Sequence, residues 1–428
     1  MVDHLLLLLS GIITLIILLI AKLTGSITSI KGGMENNKNN KNALTLKDVK
    51  IKFSNLEDSV KYEPNVSPKF TNWPVIHIGQ RKLFLNELQF LTHNVVDVVI
   101  YAGSSPSMHI WKLHLLFPNV VFILVDPNEC CIMKDKKLTH YESPEGVMYL
   151  EVGTDDKKYY SGSKKINYLG KRVNKEEFRG IAYNGDFTEI NANKDTKVFI
   201  IENIFTIDLA KRLKLYLDKA NVKFAFWSDI RTNLVDDAYP TELDIYWNSA
   251  QQLTWVDILK PTKTMLKFRC PYSVEPDLSL VAKLDNEEHL RYCKDKFKLD
   301  FIEDYKNKKF RYIDGDAYIQ PWCGQNSTET RLVFSDVVIR EYDLYDWENK
   351  LRYYNINDRI SKYSGFKTNQ KECIDNCGDC ALEAIIWDDY KQVRDNSIVV
   401  LDEMIGLKNY TGTHPRILCN GNHGKLYL

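Results

Sequence analysis

The chain has 428 residues, with 57 Lys plus Arg against 57 Asp plus Glu, so its formal charge of zero excludes a polybasic tail or an acidic solvating protein. Hydrophobic residues make up 44% and aromatic residues 12%, enough to bury one or two substantial cores, which excludes general disorder. Nine cysteines, an odd number scattered apart from a cluster at 373 to 380, make a poor disulfide framework and suit a reducing compartment.

Residues 5–21 are almost entirely apolar, close to the ~20 residues a membrane-spanning helix needs. No basic leader precedes them, while Lys22 and Lys31 follow, which predicts a membrane anchor in residues 1–25 and a body that faces the cytoplasm. The next stretch, 26–45, contains GGMENNKNNKN, a polar run with too little apolar surface to order itself, and it reads as a linker.

The body, 46–355, alternates strands with helices. Val96 to Ala102 is an apolar run followed by Gly103-Ser-Ser-Pro-Ser107 and then by Ile110, Leu113 and Leu116 at helical spacing, up to Pro118. Val120 to Val125 is the next strand and ends at Asp126; Val198 to Ile201, Phe224 to Trp227 and Met265 to Phe268 follow, with helical patterns over 207–219 and 242–259. That order predicts an α/β fold, a mostly parallel sheet with helices on both faces and ligands at the carboxyl ends of the strands, where Gly103, Asp126 and Asp229 fall. A glycine turn after the first strand with an acid ending the second is a layout that holds a nucleoside, although neither G-x-G-x-x-G nor a phosphate loop is present.

Residues 356–428 form a C-terminal extension that contains Cys373-x3-Cys377-x2-Cys380, then His414, Cys419 and His423. Thiolates and imidazoles at such spacings could hold zinc, but paired C-x2-C knuckles are absent and Ala381 to Trp387 continues as an apolar helix, so no metal is assigned.

Gly79-Gln-Arg-Lys-Leu-Phe-Leu-Asn-Glu-Leu88 together with Val98-Val-Ile-Tyr-Ala-Gly-Ser-Ser-Pro-Ser-Met-His-Ile110 resembles the poxvirus messenger-RNA cap 2′-O-methyltransferases, which also serve as regulatory subunits of the viral poly(A) polymerase. Further similar blocks follow in the same order: Phe226-Trp-Ser-Asp-Ile-Arg231, Leu266-Lys-Phe-Arg-Cys-Pro-Tyr272, Ile319-Gln-Pro321, Ser327-Thr-Glu-Thr-Arg-Leu332 and Trp347-Glu-Asn-Lys-Leu351. The similarity spans roughly 58–355, with an insertion around 130–195. It implies a Rossmann-like S-adenosylmethionine-dependent methyltransferase fold. It also implies a Lys-Asp-Lys-Glu tetrad at Lys82, Asp229, Lys267 and Glu329, and cofactor contacts at Gln80, Tyr101, Gly103, Ser107, Asp126 and Asp229. Cap-stacking aromatics fall at Tyr62 and Tyr272, with an acid at Glu348. Three positions depart from the family: Ser107 stands where it has glycine, Asn128 where it has arginine, and Val274, next to Glu275, where it has a second cap-binding acid.

The tetrad suits its chemistry. A ribose hydroxyl is a poor nucleophile at neutral pH, so attack on a sulfonium methyl needs the hydroxyl aligned and its proton drawn away. A lysine's pKa is ordinarily about 10.4, but burial and a second ammonium such as Lys82 can lower it far enough for the neutral amine of Lys267 to act, with Asp229 and Glu329 orienting it. The implied partners are capped mRNA, a poly(A) polymerase catalytic subunit, and a membrane through residues 5–21, in a virus factory or virion if the source is viral. Two alternatives stay open: a polymerase processivity subunit with little or no catalysis, and a 2′-O-methyltransferase that acts on uncapped RNA.

Overall fold

The computed structural model describes residues 49–63, 79–128 apart from 108, residue 130, short strands at 147–149, 151–152 and 182–183, and residues 197–231, 240–284, 287–362 apart from 325, and 378–394. Its helices are α1 Gly79–His93, α2 Ile110–Leu116, α3 Ile207–Ala220, α4 Glu242–Leu259, α5 Glu288–Phe297, α6 Phe301–Lys306, α7 Leu344–Tyr353 and α8 Gly378–Val393. The main strands are β1 Val98–Ala102, β2 Val121–Val125, β3 Val147–Tyr149, β4 Val198–Ile201, β5 Phe224–Ser228, β6 Lys263–Phe268, β7 Phe310–Ile313, β8 Asp316–Ile319, β9 Thr330–Phe334 and β10 Ile339–Tyr342.

Eight strands form one sheet in the order β3, β4, β2, β1, β5, β6, β9, β8. From β3 to β6 every neighbour is parallel, and β9 runs antiparallel between β6 and β8. Setting aside the edge strand β3, this is the strand order of the Rossmann-like S-adenosylmethionine-dependent methyltransferases. Central parallel strands are covered on both faces, and β1, β4 and β5 are accordingly buried at every residue, which is why they read as unbroken apolar runs.

Local chemistry starts and stops the flanking helices. Thr206 caps α3 by accepting from Leu209 N at 3.1 Å, and Asn221 ends it in the left-handed region at φ 50°. In the capping box of α4, Thr241 Oγ1 accepts from Asp244 N while Asp244 Oδ2 accepts from Thr241 N at 2.7 Å. Trp227 anchors the core, with edge contacts to Phe90 and Tyr101 at ring separations of 5.4 and 5.6 Å.

One expectation is corrected. Among the described residues no helix is long and apolar enough to cross a membrane. The longest of them, α4, has 18 residues and is a core helix that carries Glu242, Asp244 and Asp257. The transmembrane anchor, the membrane partner and the membrane-tethered localisation are therefore withdrawn; residues 5–21, on which they rested, lie outside the described residues. So do Cys373, Cys377, His414, Cys419 and His423, and among the described residues no cluster of His, Cys, Asp or Glu could hold a metal ion.

Candidate active site

Strand direction brings the tetrad together. Asp229 directly follows β5 and Lys267 is the penultimate residue of the parallel neighbour β6, so both lie at the carboxyl edge of the sheet. Because β9 is antiparallel to β6, Glu329, which precedes it, arrives at the same edge. Lys82 reaches in from the first turn of α1. Its Nζ donates to Glu329 Oε1 at 2.9 Å, while Lys267 Nζ stands 3.4 Å from Asp229 Oδ1 and 3.5 Å from Glu329 Oε2.

Three further residues that the sequence did not single out for the tetrad complete the charge balance. Arg331 faces Lys267 across the β6–β9 register and its Nη2 lies 2.6 Å from Asp229 Oδ1. Arg231 lies 3.9 Å from Glu329 Oε2. Gln320, with its amide turned so that the nitrogen faces Glu329 Oε1 at 3.1 Å and the oxygen faces Arg331 Nε at 2.6 Å, links the two. Sequence offered only a weak signal for Arg331: a charged residue between Thr330 and Leu332 in a strand reads as an outward-facing alternation.

Burial and this company set the protonation states. Desolvation lowers the pKa of Lys267 and outweighs the pull of Asp229 and Glu329 in the other direction; Arg231 and Lys82 push it down further. Burial alone would raise the Asp229 carboxyl, but Arg331 and Lys267 overcome it and hold the group below the usual carboxylate range. Glu329 is held well below that range against the same desolvation, chiefly by Lys267 and Lys82. Desolvation brings Arg231 down to about 10. The result is an amine biased towards neutrality between two firmly ionised carboxylates.

Beside the tetrad a cavity of about 690 Å³ opens at the carboxyl ends of β1, β2, β4 and β5, a size suited to a small-molecule ligand. Gly103, Asp126 and Asp229 line it. Gly103 sits at φ 74°, and a Cβ there would lie 2.9 Å from both Ile230 N and Ile230 Cγ2, so the turn needs glycine. Gly103→Ala is expected to cost about 2–4 kcal/mol through left-handed strain and crowding, and to weaken S-adenosylhomocysteine binding. Urea unfolding and calorimetry check both; a fully stable, fully binding variant would refute the constraint.

Asp126 supports this turn by accepting from Ser105 N at 3.0 Å and from Asn128 N at 2.8 Å, and burial raises its pKa. On α4, Gln251 Oε1 and Trp255 Nε1 belong to residues that line the cavity, are buried, and have no hydrogen-bond partner among the described residues. An acceptor and a donor one helical turn apart are what the edge of an adenine requires, so the residues present fit S-adenosylmethionine.

The other residues expected at the cofactor are placed as follows. Gln80 is the second residue of α1. Tyr101 is buried in β1 against Trp227, and Ser107 turns its hydroxyl onto the Ser104 carbonyl at 2.5 Å; neither lines the cavity. Ser107 has φ 55°, a conformation that favours glycine.

Tyr62 and Tyr272 are brought together and stack on each other, with ring centroids 4.8 Å apart and an interplanar angle of 19°. Arg269 covers the ring of Tyr272 at 4.5 Å and is held by Glu242 through two 2.8 Å bonds. Glu348 accepts from Ser273 N at 3.2 Å and from Ser273 Oγ, next to that stack. A flat ring between the tyrosines needs a gap of about 7 Å, two contact distances, so the rings have to part to admit one.

The fold is that of the S-adenosylmethionine-dependent methyltransferases, and the cavity is consistent with a protein of that type. Over 330 residues the chain is 25% identical to the cap-specific mRNA (nucleoside-2'-O-)-methyltransferase of Myxoma virus strain Lausanne, covering 72% of this chain and 70% of that protein, and it matches the protein of strain Uriarra equally. No family model matches the chain. It is therefore a distant relative of the poxvirus cap methyltransferases at the superfamily level.

Proposed function

We propose that the chain methylates the ribose 2′-hydroxyl of the first transcribed nucleotide of capped mRNA, with residues 46–355 carrying the chemistry. The observation that supports this reading best is the place of Lys267, within ion-pair reach of both Glu329 and Asp229, a residue that also lines the cavity. S-adenosylmethionine, when bound, supplies an electrophilic methyl group on a sulfonium. Lys267, as the neutral amine, accepts the 2′-hydroxyl proton at Nζ; Asp229 and Glu329 orient that nitrogen and stabilise the ammonium that forms. Lys82, paired with Glu329, adds the positive charge that disfavours a second ammonium beside it before the reaction.

Tyr62 and Tyr272 part to hold the 7-methylguanine between their faces, where its positive charge gains cation–π attraction, and Glu348 exchanges Ser273 for the base edge. Tyr272→Ala is expected to raise the KM for capped RNA about 10- to 100-fold, the worth of one stacked base, with kcat nearly unchanged. Labelled methyl transfer to capped and uncapped short RNA measures this. Equal rates on both substrates in the wild type would point instead to an enzyme for uncapped RNA. A poly(A) polymerase processivity subunit, the reading kept open by Ser107, has no need of cofactor, and the absence of any heat of binding with S-adenosylhomocysteine would favour it.

A further inference from the structure

The helix α8 lies beyond the segment that resembles the cap methyltransferases, yet it is built into the body. Ala381, Leu382, Ala384 and Ile386 are 1% exposed or less. Trp387 packs on Phe84 of α1 with ring centroids 5.9 Å apart, and Tyr390 packs on Phe117, just after α2, at 5.6 Å. Such burial explains attachment. It does not explain why two carboxylates on successive turns of this helix, Asp379 and Glu383, are buried with it.

Each carboxylate is fully used. Glu383 Oε2 accepts from Arg81 Nε at 2.8 Å and from Trp322 Nε1 at 2.8 Å, and Oε1 takes a second Arg81 nitrogen. Asp379 accepts from Arg359 Nε at 2.9 Å and Arg359 Nη2 at 2.7 Å, and its Oδ1 also takes Trp322 N at 3.1 Å. Trp322 is held at φ 56°, a conformation an L-residue keeps only when its surroundings impose it. Arg81 immediately precedes Lys82 on α1, and Trp322 lies on the connection that runs from β8 to Glu329. One helical turn of α8 therefore fixes the backbone on both sides of the Lys82–Glu329 pair.

We infer that Glu383 and Asp379 are positioning residues for that pair, and that residues 378–394 belong to the catalytic unit although they fall outside the similarity. The inference rests on the reading of Lys82 and Glu329 as catalytic. A misplacement of about 1 Å at such a pair costs on the order of 10²-fold in rate.

The test uses the full chain with Glu383→Gln and Asp379→Asn, read in three ways. Methyl transfer is expected to lose about 10- to 100-fold in kcat while the KM for RNA stays within about threefold. Affinity for S-adenosylhomocysteine, measured by calorimetry, is expected to hold within about threefold, because α8 does not line the cavity. The Lys82 side-chain 15N resonance, followed by NMR, is expected to shift in both variants, and the reciprocal pair Arg81→Glu with Glu383→Arg is expected to recover part of the lost rate. An unchanged kcat with an unshifted Lys82 resonance overturns the inference, as does a parallel fall of kcat, cofactor affinity and urea midpoint, which marks a purely structural role. A Lys82 shift in a protein whose wild type transfers no methyl group upholds the positioning and sinks the catalytic reading instead.

Discussion

Lys267→Arg is expected to abolish methyl transfer, with kcat down by roughly 10²- to 10⁴-fold, while affinity for S-adenosylhomocysteine stays close to wild type. Arginine keeps the positive charge that Asp229 and Glu329 surround, so the electrostatic balance of the site is largely retained. A guanidinium keeps its proton far more firmly than an amine and stays charged at neutral pH, so the proton-accepting step is lost alone. Lys267→Ala should be equally inactive, but it also leaves two carboxylates with one cation fewer, which makes it the less clean variant. The pH dependence carries the same information with a definite sign. Only the neutral amine accepts a proton, and burial sets the Lys267 pKa below its ordinary 10.5. Wild-type kcat is therefore expected to rise about tenfold per pH unit on the acid side of that lowered pKa and to level off above it, at a pH where an ordinary lysine would still be charged. Substantial activity in Lys267→Arg, or a rate profile with no rising limb below the ordinary lysine range, would remove Lys267 from the role.

Much of this arrangement is legible in the sequence because parallel strands buried on both faces must be apolar throughout. Val98–Ala102, Val198–Ile201 and Phe224–Ser228 stand out as runs for that reason, and α3, which follows the second of them, carries a cap at Thr206 and 3.6-residue periodicity. The edge at which Asp126 and Asp229 fall follows from strand direction alone. The four tetrad residues were legible only through the words around them, since lysines and acids are common and their convergence depends on β9 running against β6.

What the sequence hid depends on contacts distant in the chain. Arg331 becomes a partner of Asp229 only through the register that sets it opposite Lys267. Gln320 joins Glu329 to Arg331 by the choice of an amide orientation. Glu383 meets Arg81 across 302 positions, and an acid within a helix says nothing of so distant a counter-ion. Tyr101 packs edge-on against Trp227, and the hydroxyl of Ser107 donates to the Ser104 carbonyl, contacts that the sequence did not foretell.

Glu329→Gln should produce the second large effect, and it divides into three separable parts. Glu329 is the anion shared by Lys82, Lys267 and Arg231, so neutralising it leaves cations buried together without their counter-charge. Breaking a buried pair from one side costs about 3–5 kcal/mol, and urea unfolding near neutral pH is expected to show a loss of that order. The loss depends on pH in a fixed direction. The Glu329 carboxyl is held well below its ordinary 4.5 in the folded protein, so the stability it contributes is complete above that value and disappears as pH falls through the depressed folded pKa. The gap between wild type and Glu329→Gln should therefore be constant above about pH 6 and close progressively below about pH 4. Kinetics should move the other way. Glu329 is one of the two anions that raise the Lys267 pKa, so its removal shifts the rising limb of the rate profile to lower pH even as Lys82 and Lys267 lose their alignment and the plateau falls about 10²-fold. A lower plateau without that acid shift would mean that Glu329 acts on Lys82 alone, and an unshifted profile at full rate would place the proton-accepting group outside this cluster.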